Sequence, residues 1–343
     1  MSTRARTKPD SQDKTRAGAQ PAALRIAAIQ MASGPSVAAN LSEAEMLLEM
    51  AARQGARLAV LPEYFAIMGM RDTDKVDVRE ADGTGPIQRF LAEQAKLHDI
   101  WIVGGSVPLQ CDSPDKVRNS CLVYDNKGKR VARYDKIHLF GLDMGNESYQ
   151  EERTIEPGNE VVTVQTPYGK IGLSICYDLR FPELYRAMGN VDIIIVPSAF
   201  TATTGKAHWE ALIRARAIEN LAYVIAPAQG GFHVNGRETH GDSMIVDPWG
   251  VILDRLPRGS TAISDFSEHI EHAIQQGWVY ATLMFGDAQV RSGYLLVGIL
   301  NTPTLRHALT GISRQFEKIK ADDLSDQLPT ICAKTGESGL GAQ

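Results

Sequence analysis

Between Leu24 and Leu256 short apolar, β-branched runs alternate with stretches of helical period, and this alternation restricts the chain to an α/β arrangement in which helices cover strands. Leu24 to Met31, Arg57 to Pro62, Ile100 to Val107, Asp192 to Pro197 and Ala222 to Ala228 read as buried strands. Asn119 to Asp125 and Lys129 to Tyr134 flank a turn at Asn126-Lys-Gly128, and Glu160 to Thr166 and Lys170 to Ile175 flank one at Tyr168-Gly169, so both pairs predict hairpins. Ser243 to Asp247 and Val251 to Leu253 enclose a further turn at Pro248-Trp-Gly250. Asn40 with Glu43 has the spacing of a capping box and predicts a helix with Leu41, Ala44, Leu47, Leu48 and Ala51 on one face. Pro86 opens a second helix, and His208 to Asn220 reads as a third.

Outside this block the texture changes. Residues 1–22 are polar and predict a disordered tail, which places the start of the α/β domain at residue 23 and its end at 258. After Leu256 the strand-like runs stop. Phe266, Ile270, Ala273, Ile274, Gly277, Ala281 and Met284 keep a near-3.6 period, and Leu295, Leu296, Ile299 and Leu300 begin another such face. Residues 259–333 therefore predict a small all-α appendage, with a Gly/Ser-rich tail over 334–343. In Ser260-Thr-Ala-Ile-Ser-Asp265, Thr261 and Ile263 alternate with smaller or polar neighbours, which predicts a weak substitute for a last strand.

Charge and cysteine usage exclude several function classes. Thirty-six Lys and Arg against 41 Asp and Glu give a net charge of −5 without a basic stripe, which argues against nucleic acid as a partner. No apolar run reaches membrane-spanning length and no signal peptide is evident, so the expectation is a cytoplasmic protein without a membrane partner. Cys111, Cys121, Cys176 and Cys332 are widely spaced, with neither the spacing of a zinc site nor a disulfide framework, consistent with a reducing compartment and no metal.

The chemistry gathers on one stretch, Ser174-Ile-Cys-Tyr-Asp-Leu-Arg-Phe-Pro-Glu-Leu-Tyr-Arg186, where an apolar run stops at Cys176 and a short polar turn leads into a helix opened by Pro182. A thiol there is held from behind and open in front, and backbone N–H groups of the turn can face an oxyanion. A lone cysteine in an apolar run is by itself more often core than nucleophile. Two further residues change the weighing. Glu63 and Lys136 also follow predicted strands, and functional side chains gather beyond strand ends. A carboxylate can take the thiol proton, and an ammonium can stabilise the oxyanion that follows attack on a carbonyl. Alone, each is as readily a solvated loop charge.

Leu-Pro-Glu63-Tyr, Tyr-Asp-Lys136-Ile-His-Leu-Phe and Ser-Ile-Cys176-Tyr-Asp-Leu-Arg-Phe-Pro-Glu resemble, in the same order, the three signature motifs of the carbon–nitrogen hydrolase (nitrilase) superfamily. Tyr149-Gln-Glu151, Ala207-His-Trp-Glu210, Arg214-Ala-Arg216 and Ser243 to Gly250 extend the likeness over roughly residues 24–256. The resemblance implies an α-β-β-α sandwich, a Cys–Glu–Lys triad, no metal and no organic cofactor. Glu63 would be the general base, Lys136 the oxyanion partner and Cys176 the nucleophile. Glu151, Tyr177 and Arg180 would position substrate, and Phe200, Thr201 and His208 would line the pocket. The pattern is similar to the amidase branch that includes deaminated-glutathione amidase and ω-amidase, which implies a small carboxylate-bearing primary amide hydrolysed to acid and ammonia. A nitrile substrate is the alternative chemistry, and a homodimer is compatible with the family. The C-terminal block, Asp265 to Leu300, resembles part of the helical N-terminal domain of Clp-type unfoldases, nearest to that of the type VI secretion disaggregase. It implies binding of a peptide or a secretion-sheath segment, and with it a second reading of the chain as a non-enzymatic binding module.

Overall fold

The computed structural model describes residues 24–143, 148–257 and Leu300. The expected tails, the strand Ser260 to Asp265 and, Leu300 apart, the helical block over 259–333 lie outside the described residues. Among the described residues no helix is long and apolar enough to cross a membrane.

Two six-stranded sheets form the centre. The first holds β1 (Ile26–Ala28), β2 (Leu58–Val60), β3 (Trp101–Val103), β4 (Val107–Gln110), β5 (Val117–Tyr124) and β6 (Arg130–Asp135). A small hairpin, β7 (Gly141–Asp143) and β8 (Ser148–Gln150), follows it. The second sheet holds β9 (Thr163–Thr166), β10 (Gly169–Leu173), β11 (Ile193–Ile195), β12 (Tyr223–Ala226), β15 (Ser243–Val246) and β16 (Ile252–Leu256), with a separate hairpin, β13 (Gly230–Phe232) and β14 (Glu238–His240), between β12 and β15. Parallel strands β1, β2 and β3 build the middle of one sheet, and parallel β10, β11 and β12 the middle of the other. Both hairpins expected from sequence are present, as β5 with β6 and β9 with β10.

The two-residue period of the strands makes the layers. Leu58 and Val60, Trp101 and Val103, and Cys121 and Val123 point into the space between the sheets, where they join Ile171, Leu173, Ile193 and Val224 of the second sheet. Their neighbours Ala59, Leu61, Ile102 and Leu122 point outward and are covered by Ala44, Leu47 and Leu48 of α1 (Val37–Arg53) and by Ile87, Leu91 and Ala95 of α3 (Pro86–His98). On the far side α4 (Pro182–Ala187) and α5 (Ala202–Asn220) cover the second sheet through Leu184, Trp209 and Ile213. A single turn, α2 (Asp74–Asp77), lies between β2 and α3. The result is the expected α-β-β-α sandwich, and with both central strand sets parallel, several carboxyl ends emerge together.

Two helix starts differ from the sequence expectation. The α1 helix begins at Val37, capped by the Ser36 hydroxyl accepting from Ala39 N–H, and Asn40 and Glu43 do not form a capping box. Asn40 is buried and its amide is used in tertiary bonds, donating to the Gly34 and Ala66 carbonyls and accepting from Gly34 N–H. The α5 helix begins at Ala202, capped by Thr201, six residues before the expected His208, where Thr201 to Ala207 carries too few apolar residues to show a helical period in sequence.

One glycine fixes the approach to the site. Gly105 has φ +48°, and a side chain there would overlap the Pro62 carbonyl oxygen immediately before Glu63. Gly55, also left-handed at φ +86°, faces open space. Ala at Gly55 should cost about 1 kcal/mol from backbone strain alone. Gly105→Ala should cost at least ~2 kcal/mol more in urea unfolding, because the Pro62 backbone must move. Equal losses at the two positions would show that the close approach is not a constraint.

Candidate active site

The Cys176 turn is fixed from several sides. Ser174 hydroxyl donates to the Ile195 carbonyl at 2.8 Å and accepts from Tyr185 hydroxyl at 3.0 Å, tying the end of β10 to β11 and α4. Cys176 N–H donates to the Pro197 carbonyl at 2.9 Å, and its φ of +52° puts a non-glycine residue in the left-handed region. The fully buried Asp178 carboxylate holds this geometry. It accepts from Ile175 N–H at 2.9 Å, Tyr134 hydroxyl at 2.6 Å, His138 N–H at 3.0 Å and His138 Nδ1 at 2.7 Å. A 3₁₀ turn, Cys176–Arg180, then carries the chain to Pro182 at the head of α4.

Glu63 sits beyond β2 in a turn of the same kind, since Tyr64 next to it has φ +57°. Tyr64 N–H donates to Ser106 hydroxyl at 2.9 Å, and the Glu63 carbonyl accepts from Gln229 Nε2 at 3.0 Å, so both sheets hold this turn. The buried Glu63 carboxylate accepts from Lys136 Nζ at 2.8 Å and Asn119 Nδ2 at 3.0 Å on one oxygen, and from Ala199 N–H at 3.0 Å on the other. Cys176 lines the same pocket as Glu63. Burial pushes the Glu63 carboxyl above its ordinary range; Lys136 opposes this and Glu151 adds to it. Burial likewise raises the Cys176 thiol, with the Glu63 charge adding and Lys136 opposing, so the resting sulfur holds its proton.

Lys136 follows β6 directly and is completely buried. Burial works against its charge, but the Glu151 and Glu63 carboxylates outweigh burial and hold it above the ordinary lysine range. Glu151 meets Lys136 Nζ through both oxygens, at 3.1 and 2.8 Å, and also accepts from Tyr64 hydroxyl at 2.6 Å and Phe140 N–H at 2.8 Å. Burial pushes the Glu151 carboxyl up, yet Lys136 and these hydrogen bonds prevail and keep it below its usual value.

A narrow pocket opens onto this cluster, lined by Glu63, Glu151 and Cys176 together with Phe140, Tyr177, Arg180, Ala199, Phe200, Thr201, Thr204 and Arg237. Glu63, Lys136 and Cys176 come from separate strand ends, with Glu63 and Cys176 in the pocket wall and Lys136 bonded to Glu63, and Glu151, Tyr177, Arg180, Phe200 and Thr201 also line the pocket. His208 does not line it; its ring is exposed and Nδ1 meets Arg180 Nη2 at 3.2 Å at the rim. The sequence reading missed Phe140, Thr204 and Arg237 in the wall, and Asn119, Tyr64 and Asp178 behind it. Asp178 had a visible signal, an acid two residues after the cysteine where the apolar run ends. Arg237 had none.

A family profile described as carbon-nitrogen hydrolase matches residues 25–274, continuing past the boundary near Leu256 to Gly259 read from the sequence. A deaminated glutathione amidase from Synechocystis is 46% identical over 234 residues, covering 66% of this chain and 85% of that one. Among solved structures, Saccharomyces cerevisiae Nit3, a member of branch 10 of the nitrilase superfamily, is 31% identical with a TM-score of 0.63, over 69% of this chain and 87% of that one. A mutant amidase from Nesterenkonia sp. AN1, showing Michael addition of acrylamide at its active site cysteine, is 25% identical with a TM-score of 0.60, over 68% of this chain and 89% of that one.

Asp178 supplies a direct test of how the cysteine turn is held. Asp178→Asn puts an amide N–H₂ where donors already converge, which should cost about 2–4 kcal/mol in urea unfolding. A loss within 0.5 kcal/mol, the range of ordinary surface substitutions, would mean that the turn does not depend on this carboxylate.

Proposed function

The chain belongs to the carbon–nitrogen hydrolase family, and from that membership we propose that it is an amidase acting through an acyl-enzyme on Cys176, with Glu63 carrying the proton and Lys136 facing the oxyanion. The observation that carries the reading is that Glu63 and Cys176 line one pocket while the buried Lys136 Nζ donates to the same Glu63 carboxylate at 2.8 Å. The Nesterenkonia amidase, in which acrylamide adds to the active site cysteine, supports a cysteine in that role.

The proposed steps follow from the charges. Glu63 takes the Sγ proton as sulfur attacks the amide carbon, and the carbonyl π electrons move to oxygen. Lys136 ammonium and the Tyr177 N–H, which lies in the first turn of the 3₁₀ segment with no intrahelical acceptor, meet that oxyanion. Collapse of the intermediate breaks the C–N bond, and protonated Glu63 gives its proton to the departing nitrogen, leaving a thioester and a free amine. Water then attacks the thioester, with Glu63 again accepting a proton and afterwards returning it to sulfur, and the acid leaves. Glu151 acts through Lys136 by holding the ammonium in place. Tyr177 and Arg180 position substrate; the guanidinium lies 5.7 Å from the centroids of both the Tyr177 and Phe200 rings.

The substrate class proposed is an amide of a small carboxylate. In deaminated glutathione, the compound in the name of the Synechocystis relative, the γ-amide nitrogen belongs to a cysteine residue, so the leaving group to assay is a peptide amine as well as ammonia. The relatives' names support amides over nitriles. The alternative of a passive carrier for a C-terminal binding block rests on residues outside the described structure, whereas the pocket favours an enzyme.

Amine and ammonia release from a panel of carboxylate-bearing amides tests this reading. Cys176→Ala should lower the rate on the order of 10⁴-fold or more and Glu63→Gln by roughly 10²–10⁴-fold, while a wild-type chain releasing neither product would contradict the proposal. The pH profile gives a second test. Because burial raises Glu63, the active carboxylate form is lost as pH falls through a value above the ordinary 4.5, so the acid limb of kcat/KM should lie above that point. Glu151 contributes to the raising, so Glu151→Gln should move the limb to lower pH while reducing kcat. A limb that stays in place or moves upward would show that Glu151 does not act on Glu63.

A further inference from the structure

A second ammonium lies outside the Cys176 pocket but one residue removed from both of its carboxylates. Lys75, half-buried on the single turn α2, faces a separate small cavity whose wall includes Tyr64, Ser106 and Asn119. Tyr64 hydroxyl donates to Glu151 at 2.6 Å, and Asn119 Nδ2 donates to Glu63 at 3.0 Å. Each carboxylate is therefore a single hydrogen bond from a residue in that wall. Lys75 is also fixed in place. Its Nζ donates to Thr154 hydroxyl at 3.1 Å, and Thr154 N–H donates to the Glu151 carbonyl at 3.0 Å, closing the 3₁₀ turn that carries Glu151. The Tyr64 ring centroid lies 5.8 Å from the same Nζ.

This charge has no close partner of its own. Asp74 and Asp77 on α2 pair with Arg71, at 2.8 and 3.4 Å, and among the described residues no carboxylate lies within ion-pair distance of Lys75 Nζ. The charged groups that act on it are Asp72, just before α2, and Glu151, which attract it, and Arg237 and Lys136, which repel it. Burial brings the Lys75 ammonium below the ordinary lysine range, with Asp72 and Glu151 opposing. A cation placed where burial disfavours it, hooked to the turn of one catalytic carboxylate and stacked on the tyrosine that follows the other, does not have the setting of a solvated surface lysine.

The charge balance of the site gives it a task. Glu63 and Glu151 carry two negative charges against the one positive charge of Lys136, and Glu63 is faced besides by Cys176 and by Tyr64 next to it. Resting on the amidase reading above, we propose that Lys75 is a positioning residue whose charge offsets the uncompensated carboxylate of the Glu63–Lys136–Glu151 cluster and so keeps Glu63 ionised, and able to act as base, at lower pH than the cluster alone allows. A fixed positive charge favours the ionised form of nearby carboxylates, and in a low-dielectric interior it does so without contact. Across the acid limb the pH is far below the ordinary lysine value, so Lys75 is charged throughout.

The test follows the acid limb of kcat/KM, with the best amide of the panel above, in wild type and in Lys75→Gln, Lys75→Met and Lys75→Arg. Loss of the positive charge disfavours the Glu63 carboxylate, so its raised value rises further and the limb should move to higher pH by roughly half a unit or more in the Gln and Met variants. Lys75→Arg keeps the charge and should leave the limb in place. Gln retains a donor for Thr154 and Met does not, so equal shifts in the two separate the charge from the hydrogen bond. A limb that stays or falls in the Gln and Met variants, or that moves as far in the Arg variant, would overturn the assignment. Carbon-13 NMR titration of protein labelled at the glutamate carboxyl carbons, with the Glu63 signal identified by its loss in Glu63→Gln, separates this from failure of the amidase reading. The Glu63 midpoint should rise by the same amount in Lys75→Gln whether or not any amide is hydrolysed; an unchanged midpoint would overturn the assignment.

Discussion

The site depends on one buried ammonium held between two carboxylates. Lys136 has no exposed surface and contacts Glu63 and Glu151, each through an oxygen 2.8 Å from Nζ. Burying such charges is costly, and removing one partner from a buried pair typically costs about 3–5 kcal/mol because the other is left uncompensated. The excess of carboxylate over ammonium leaves one negative charge in the cluster. Burial, with Glu151 adding and Lys136 opposing, pushes Glu63 toward the proton it must take, and burial with the Glu63 charge keeps the Cys176 proton on sulfur at rest. The cluster stores a base beside a thiol and an acid beside the place where negative charge will grow, with little reorganisation needed as the reaction proceeds.

The fold delivers this arrangement through strand ends held from both sheets. Glu63 and Cys176 follow the central parallel strands of different sheets, and each lies in a turn with a left-handed non-glycine residue. Such turns persist only when their surroundings over-determine them. Gln229 does part of this by donating to the Glu63 carbonyl and to Ser33 hydroxyl while accepting from Ser33 N–H. Asp178 does the corresponding work behind Cys176. It is therefore as much a part of the site as the groups that face the pocket, although it touches no substrate.

Strand positions and the three chemistry-bearing residues were legible because each rests on local pattern: an apolar run, a stop, and a polar residue with catalytic chemistry. The four layers were legible only through family resemblance, since periodicity alone does not distinguish a sandwich from an open α/β sheet. Asn40 misled because its spacing to Glu43 matches a helix cap, while the folded chain uses its amide to join the segment after β1 to the Glu63 turn through the Ala66 carbonyl. Arg237 was invisible because nothing near it in sequence marks a site. Its place in the pocket wall rests on contacts with the Ala199 carbonyl and the Tyr149 ring, which lie 38 and 88 positions away (237 − 199 and 237 − 149).

The account stands on covalent chemistry at one sulfur. Rapid acid quench of the protein with a turning-over amide, followed by peptide mass spectrometry, measures it directly. The account predicts an acyl group on Cys176 whose mass equals the substrate acid less water, formed and lost at rates that match turnover. Acyl transfer to another residue, or product formation with Cys176 unmodified at every quench time, would contradict it.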